Sequence, residues 1–461
     1  MIITALVGVF MGKRKKDDST KKFFVADKSL GVWLTGAMMF GEMIGGSSTV
    51  GSSATAFSLG LSAVWSNWGM AIGVLVFLFT VAKFYRRASH FGVMSVPEAF
   101  HFRFDERARI VVLIITLVVY GIIYSQQPVA AATLLEPILN IDKTILTWAM
   151  GFLFAYMALS GLKGVAGQNL LHSIVMFIGL FIVSIVVIIR AGGLADMRAA
   201  LPAQFFDVSY PDIFTVLAQV SGSAISMLLS ATVVGCCIGA KSLKVAKKGL
   251  TLSVIFVIPF ALMPAIIGIA GRILLPEASS NNIIYTVAQL IHPAFAGIVA
   301  MSVLAAIIGP GILLALATSL TRDFYLIKNP DATQEQQMRF SKYAIIALAI
   351  ITTAFGLNTT SILSQILGAF QIRSIAGIIL IVGLTWKRTT NTSVFWSMLI
   401  GGIVAALWHF TGNPLGWQPF YPATVISLII LIVLSFANKE KISADYQRYY
   451  DKIKDIPDDI I

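Results

Sequence analysis

Apolar residues gather in long runs separated by short polar or basic gaps. Runs such as 110–124, 172–189, 250–271, 343–355, 375–385 and 422–436 approach the roughly 20 residues that carry a helix across the hydrocarbon of a bilayer. Lipid offers no water to backbone N–H and C=O groups, so each run must satisfy them internally, which selects helix. The pattern predicts helices over 1–11 (partial), 33–62, 63–85, 108–137, 143–163, 167–190, 212–240, 246–272, 294–325, 338–357, 361–386, 391–412 and 419–437. This is an all-α membrane protein with about 12–13 transmembrane helices. An amphipathic stretch, Ile283–Ile291, predicts a short surface helix, and Trp408, Trp417 and Tyr421 flank the last outer loop as an interfacial belt would.

One span departs from the apolar pattern. Residues 41–53 read Gly-Glu-Met-Ile-Gly-Gly-Ser-Ser-Thr-Val-Gly-Ser-Ser. Each of Gly45 and Gly46 weakens a helix by about 1 kcal/mol, and a carboxylate at Glu42 costs a few kcal/mol at membrane depth. Such a stretch suits a wall of an internal cavity; the blander alternative is close helix packing on small residues. The span 212–240 carries a milder version, with Ser221, Gly222, Ser223, Ser226, Ser230 and Thr232. The two spans are five apart, as the first helices of two inverted five-helix repeats would be. The expected organisation is a partial helix and basic loop (1–32), a ten-helix core (33–386, repeats 33–190 and 212–386), two peripheral helices (387–437) and a charged tail (438–461). The tail is too short for an appended catalytic or signalling domain.

Composition agrees with a membrane protein. Charged residues make up 12% of the 461 positions, about half the share of a soluble domain. The net charge of +12 might be read as a nucleic-acid footprint, but its placement argues against that. With 13–28 placed inside and the spans alternated, 29 of the 34 Lys and Arg fall on one side, which orients the chain by the positive-inside rule. A multi-pass protein of the cell membrane with a cytoplasmic C-terminus is expected, with the bilayer and a small-molecule solute as partners and no nucleic acid. Cys236 and Cys237 are adjacent and lack metal-ligand spacing, so they read as packing residues. No metal or cofactor is expected, no enzyme activity is indicated, and the oligomeric state is left open.

Several pieces recur in order along the chain: Phe23-Phe24-Val25-Ala26-Asp27-Lys28-Ser29-Leu30-Gly31, Tyr156 with Ser160-Gly161, Ala240-Lys241-Ser242 with Lys247-Lys248-Gly249, Thr321-Arg322-Asp323-Phe324-Tyr325, and Gly383-Leu384-Thr385-Trp386-Lys387-Arg388-Thr389. This ordered set resembles the sodium:solute symporter family, whose members share the leucine-transporter-type fold. The resemblance implies alternating-access transport, with substrate held near the midplane between two broken helices. It also implies ion-coupling positions at the backbone of Gly41 and Ile44 and at hydroxyls of the eighth core helix. That helix here reads Ala305-Ala306-Ile307-Ile308-Gly309-Pro310-Gly311, so Ala306 and Gly309 stand at those positions without a hydroxyl. Where the family has Thr-Asp-x-x-Gln, this chain has Gly167-Gln168-Asn169-Leu170-Leu171-His172. A hard cation needs several oxygen ligands, so the coupling ion is left as H+ or Na+, or coupling is lost.

Two ionisable residues remain inside spans, Glu42 and Arg373. Three readings stay open: a structural salt bridge, a substrate clamp in which Arg373 takes an anion, and a proton-coupling carboxylate at Glu42. Gly45, Gly46, Trp68, Tyr124, Gln126, Gln127 and Gln371 are candidate substrate contacts, each equally suited to interhelical packing, and His172 is a candidate proton relay. The expectation is a secondary active transporter for a small polar or charged solute. A membrane-embedded sensor, a channel and a sodium symporter with other ligands are the rivals.

Overall fold

A computed structural model of the chain describes residues 28–307, 309–358 and 362–456. The partial helix expected over 1–11, the family-like residues Phe23–Asp27 and Ile308 lie outside them.

The first half begins with α1 (Val32–Met43), a π-helical stretch over Ser47–Gly51 and α2 (Ser52–Leu59). It continues through α3 (Trp65–Thr80), two short helices at the basic end, α4 (Ala82–His90) and α5 (Val96–Arg103), and then α6 (Glu106–Leu139), α7 (Lys143–Ala158) and α8 (Gly161–Arg190). A surface helix, α9 (Leu194–Ala200), leads to the second half. That half runs α10 (Ile213–Ser226), α11 (Ala231–Gly239), α12 (Leu243–Leu274), α13 (Ile283–Ile291), α14 (Pro293–Ala306), α15 (Gly309–Leu320), α16 (Gln334–Gly356) and α17 (Ile362–Thr385). The chain then adds α18 (Asn391–Phe410), α19 (Phe420–Phe436) and a tail helix, α20 (Ala444–Ile453). The surface helix expected at Ile283–Ile291 is present as α13.

Among the described residues, eight helical stretches are each long and apolar enough to cross a bilayer, or nine if the bent pair α10–α11 is one span. The remaining predicted spans are broken or shorter helices. Polar side chains mark the helix starts: Asp105, Asp142, Asp212, Ser242, Thr333 and Thr390 each accept a backbone N–H that the helix itself cannot pair. Asn140, in the left-handed conformation, closes α6.

Three helix breaks shape the interior. At Ile44 the backbone turns extended (φ −119°, ψ 115°), ending α1 next to Gly45 and Gly46. At Ser230 it does so again (φ −69°, ψ 120°), bending α11 by 43° from α10. The third break was not expected. The span predicted as one helix over 294–325 is interrupted at Ile307 (φ −75°, ψ 101°). Pro310 has no N–H to give the Ala306 carbonyl, and its ring crowds that carbonyl.

α1 packs on α8 and α12, α10 on α3 and α17, and α17 on α6. The membrane-spanning part of α17 is 83% buried within the protein, against 33% for α16 and 39% for α8 and α18. α17 is therefore a central helix and the other three face lipid. At the basic end, Leu30 donates to Gly239 O (3.0 Å) and accepts from Lys241 N (3.1 Å), tying the start of one broken helix to the end of the other.

Candidate functional site

The two broken helices meet at the centre of the bundle. The 3-10 turn over Met227–Leu229 separates Ser226 from Ser230, and charged side chains from two other helices attach at its two ends. Arg373, on α17 and only 1% exposed, donates from Nε to Ser226 Oγ at 2.6 Å. Ser230 Oγ donates to Glu42 Oε1 at 3.4 Å. Tyr120 of α6 spans both groups: its hydroxyl bonds Ser230 Oγ (3.3 Å) and accepts from Ala231 N (2.6 Å), while the Arg373 guanidinium sits 5.0 Å from its ring centre and 5.5 Å from that of Phe370.

The Arg373 Nη1 and Nη2 groups are buried and have no hydrogen-bond partner among the described residues. The structure thus brings Glu42 and Arg373 onto one turn without a direct hydrogen bond between them. A buried guanidinium donor left unpaired is costly, and here the guanidinium packs against the rings of Tyr120 and Phe370.

A small cavity of about 20 Å³ lies beside Glu42, lined by Gly41, Ile44, Gly45, Gln127, Met227 and Phe370 among others. That is room for about one water. The end opposite most of the basic clusters holds a wider vestibule of about 370 Å³ between Thr55, Leu59, Thr133, Lys143 and Asn281. The basic end is closed by ion pairs: Arg322 with Glu98 at 2.8 Å and Arg109 with Asp323 at 3.0 Å, with Arg109 also donating to Arg322 O. Arg103 is buried there against Tyr446 and Tyr449 of the tail helix, and burial pushes its guanidinium down to about 10.

Other candidates from the sequence are placed elsewhere. The Gly46 N–H donates to Gln127 Oε1 at 3.2 Å, so Gln127 is the glutamine at the break, while its neighbour Gln126 donates to Ser125 Oγ. Trp68 gives its indole N–H to Ile258 O on α12. Gln371 is engaged outward, donating to Gln418 Oε1 and accepting from Phe420 N. Tyr124 donates to Gly151 O, and His172 is buried in α8, its Nε2 without a partner among the described residues. Tyr120 and Ser226 were missed as site residues. Ser226 and Ser230 stood in the noted serine interruption, but nothing in the local sequence marked Tyr120.

A sequence profile of the sodium:solute symporter family matches residues 23–401. This chain belongs to the sodium:solute symporter family. A sodium/proline symporter of Staphylococcus aureus (strain JH9) is 22% identical over 488 residues, covering 99% of this chain and 94% of that protein. The fold matches that of a Na+-coupled sialic acid symporter in a substrate-bound outward-open state, with a TM-score of 0.81, 17% identity, and 96% of this chain and 97% of that one covered. It also matches Mhp1, a nucleobase-cation-symport-1 family transporter, in a closed conformation (TM-score 0.62, 12% identity, 95% and 99% covered). The symporter family accounts for the leucine-transporter-type fold and makes the chain a multi-pass membrane transport protein, not an enzyme.

At the positions where the sequence resemblance leads one to expect ion coupling, Gly41 O already accepts from Ile44 N at 3.2 Å. Ala306 ends α14 and Gly309 begins α15, and neither residue type carries a side-chain oxygen. Ile307, 1% exposed, places its Cγ1 3.8 Å from where a Cβ on Gly46 would lie. An aliphatic side chain therefore faces the break.

Proposed function

We propose that the protein is a secondary active transporter that carries a small polar or charged solute across the cytoplasmic membrane by alternating access, without sodium at the family's usual position. Its basic end faces the cytoplasm, as the positive-inside rule directs. The observation that carries this reading is the meeting of two breaks: the backbone opened at Ile44 faces the break at Ile307, where Ile307 presents hydrocarbon and Gly309 and Pro310 have no hydroxyl. Sodium is a hard cation that needs several oxygens. Coupling, where present, runs through protons at Glu42. The small central cavity, the closed basic end and the wider vestibule opposite support an occluded intermediate that opens outward first.

The test is counterflow: purified protein in proteoliposomes loaded with candidate unlabelled solutes, with uptake of the labelled form measured. Saturable exchange of one solute class is expected. Non-saturable flux that follows the gradient and shows no exchange would identify a channel instead.

A further inference from the structure

We propose that a groove on the membrane-facing side of the first broken helix holds an acyl chain of an anionic phospholipid of the cytoplasmic leaflet, with Lys244 and Lys248 taking the lipid phosphate. The leaflet follows from the orientation given above. The groove measures about 240 Å³ and lies between α1, α8 and α12. Gly36 and Phe40 line it from α1, Ser173 and Phe177 from α8, and Ser253 and Phe256 from α12. Ile174, Ile178 and Phe256 are exposed at its margin, so it opens sideways toward lipid and not into the centre of the bundle.

The wall of the groove selects hydrocarbon. Both serines turn their hydroxyls back onto helix backbone: Ser173 Oγ donates to Asn169 O at 2.6 Å and Ser253 Oγ to Leu250 O at 2.6 Å. The rings of Phe40, Phe177 and Phe256 meet at centroid separations of 5.6–6.3 Å. Apart from Trp33 at the mouth, the lining side chains then have no polar atom to offer an occupant. A polar ligand would lose its hydration there without replacement, whereas a hydrocarbon chain loses nothing.

Charge at the mouth selects the headgroup. Trp33, at the start of α1, is exposed at the basic end of the groove, the level at which indoles settle in a bilayer. On α12, Lys244, Lys248, Leu252 and Phe256 form one i, i+4 row. Lys248 precedes Leu252 by about 6 Å of helix rise and Lys244 by about 12 Å, so both ammonium groups reach the interface beyond the groove on their flexible stems. Both lysines are exposed, and neither is in an ion pair among the described residues. Two cations beside a hydrocarbon groove favour an anionic phospholipid over a zwitterionic one. A second copy of this chain, seated here by a two-fold contact, would bring the same lysines together and is disfavoured. Lys247 is a built-in control: it lies two positions before Gly249, which meets Thr35 of α1, and so stands about 200° round α12 from that contact.

Native mass spectrometry of the delipidated full-length protein in detergent tests this, by titration with dioleoyl phosphatidylglycerol and, separately, with dioleoyl phosphatidylcholine, whose chains are identical. One phosphatidylglycerol is expected to bind about tenfold more tightly than any phosphatidylcholine, as two lysines acting on one negative charge would give. Lys244→Gln with Lys248→Gln, both at exposed positions, should remove that preference, and Lys247→Gln should leave most of it. Ser173→Leu, which puts a larger side chain into the groove, should abolish the tight phosphatidylglycerol with both lysines in place. Equal binding of the two lipids, or a tight phosphatidylglycerol that survives either the lysine pair or Ser173→Leu, overturns the proposal. So does a loss in Lys247→Gln as large as in the double lysine variant, which would mark diffuse surface charge, and so does a dimer with no lipid bound.

Discussion

Arg373 Nε donates to Ser226 Oγ at 2.6 Å, four residues before the serine that bonds Glu42, so two opposite charges share one turn of the second broken helix without touching. Removing either charge leaves the other, Arg373 buried or Glu42 half-buried, without its counter-charge. Arg373→Gln and Glu42→Gln should each destabilise by about 3–5 kcal/mol, and the double variant should recover most of that stability while transport stays lost. Thermal unfolding of the two single variants and the double closes the cycle. Additive effects would show that the charges do not sense each other, and full transport in the double would return both to a purely structural role.

The first break depends on a close approach. A Cβ placed on Gly46 would clash with Ala130 Cβ, so Gly46→Ala should cost about 1–3 kcal/mol through overpacking and slow transport. Ala130→Gly in the same chain removes the clashing methyl and should restore most of both. Melting temperature and uptake rate of the pair are the measurements, and a harmless Gly46→Ala would contradict the contact.

At the basic end, Glu98 with Arg322 and Arg109 with Asp323 hold α5, α6 and the end of the eighth core helix together. On α11, Cys236 and Cys237 are fully buried, their thiols against Thr35 O and Ala82 O. Arg322→Gln should favour the open state, so that a small maleimide added from the basic face labels these cysteines about tenfold faster, a shift of ~1.4 kcal/mol. Unchanged labelling would mean that other contacts keep this end shut.

Much of the architecture was legible because lipid leaves the backbone few choices. The apolar periods gave the spans, and the glycine and serine interruptions located the breaks now seen at Ile44 and Ser230. The break at Ile307 escaped because the run around it stays apolar, although Pro310 carried the signal. Side-chain destinations were less legible. Gln126 and Gln127 are adjacent, and only the approach of Gly46 from another helix decides which one faces the break. Trp68 and Gln371 looked like cavity residues until α12 and the Gln418–Phe420 segment took their polar atoms. Tyr120 matters because Ser230, more than a hundred positions away, bends toward it.

The residues at the Ile307 break set the expectation for sodium. In proteoliposomes holding the wild-type protein, uptake of the solute identified by counterflow is measured with sodium outside and again with choline or potassium in its place. With Ile307, Gly309 and Pro310 at the positions proposed above to lack hydroxyl ligands, the initial rates should agree within about twofold, ~0.4 kcal/mol by the same conversion. A fall of tenfold or more on removing sodium would show that other oxygens bind the ion and that the coupling site is not degenerate.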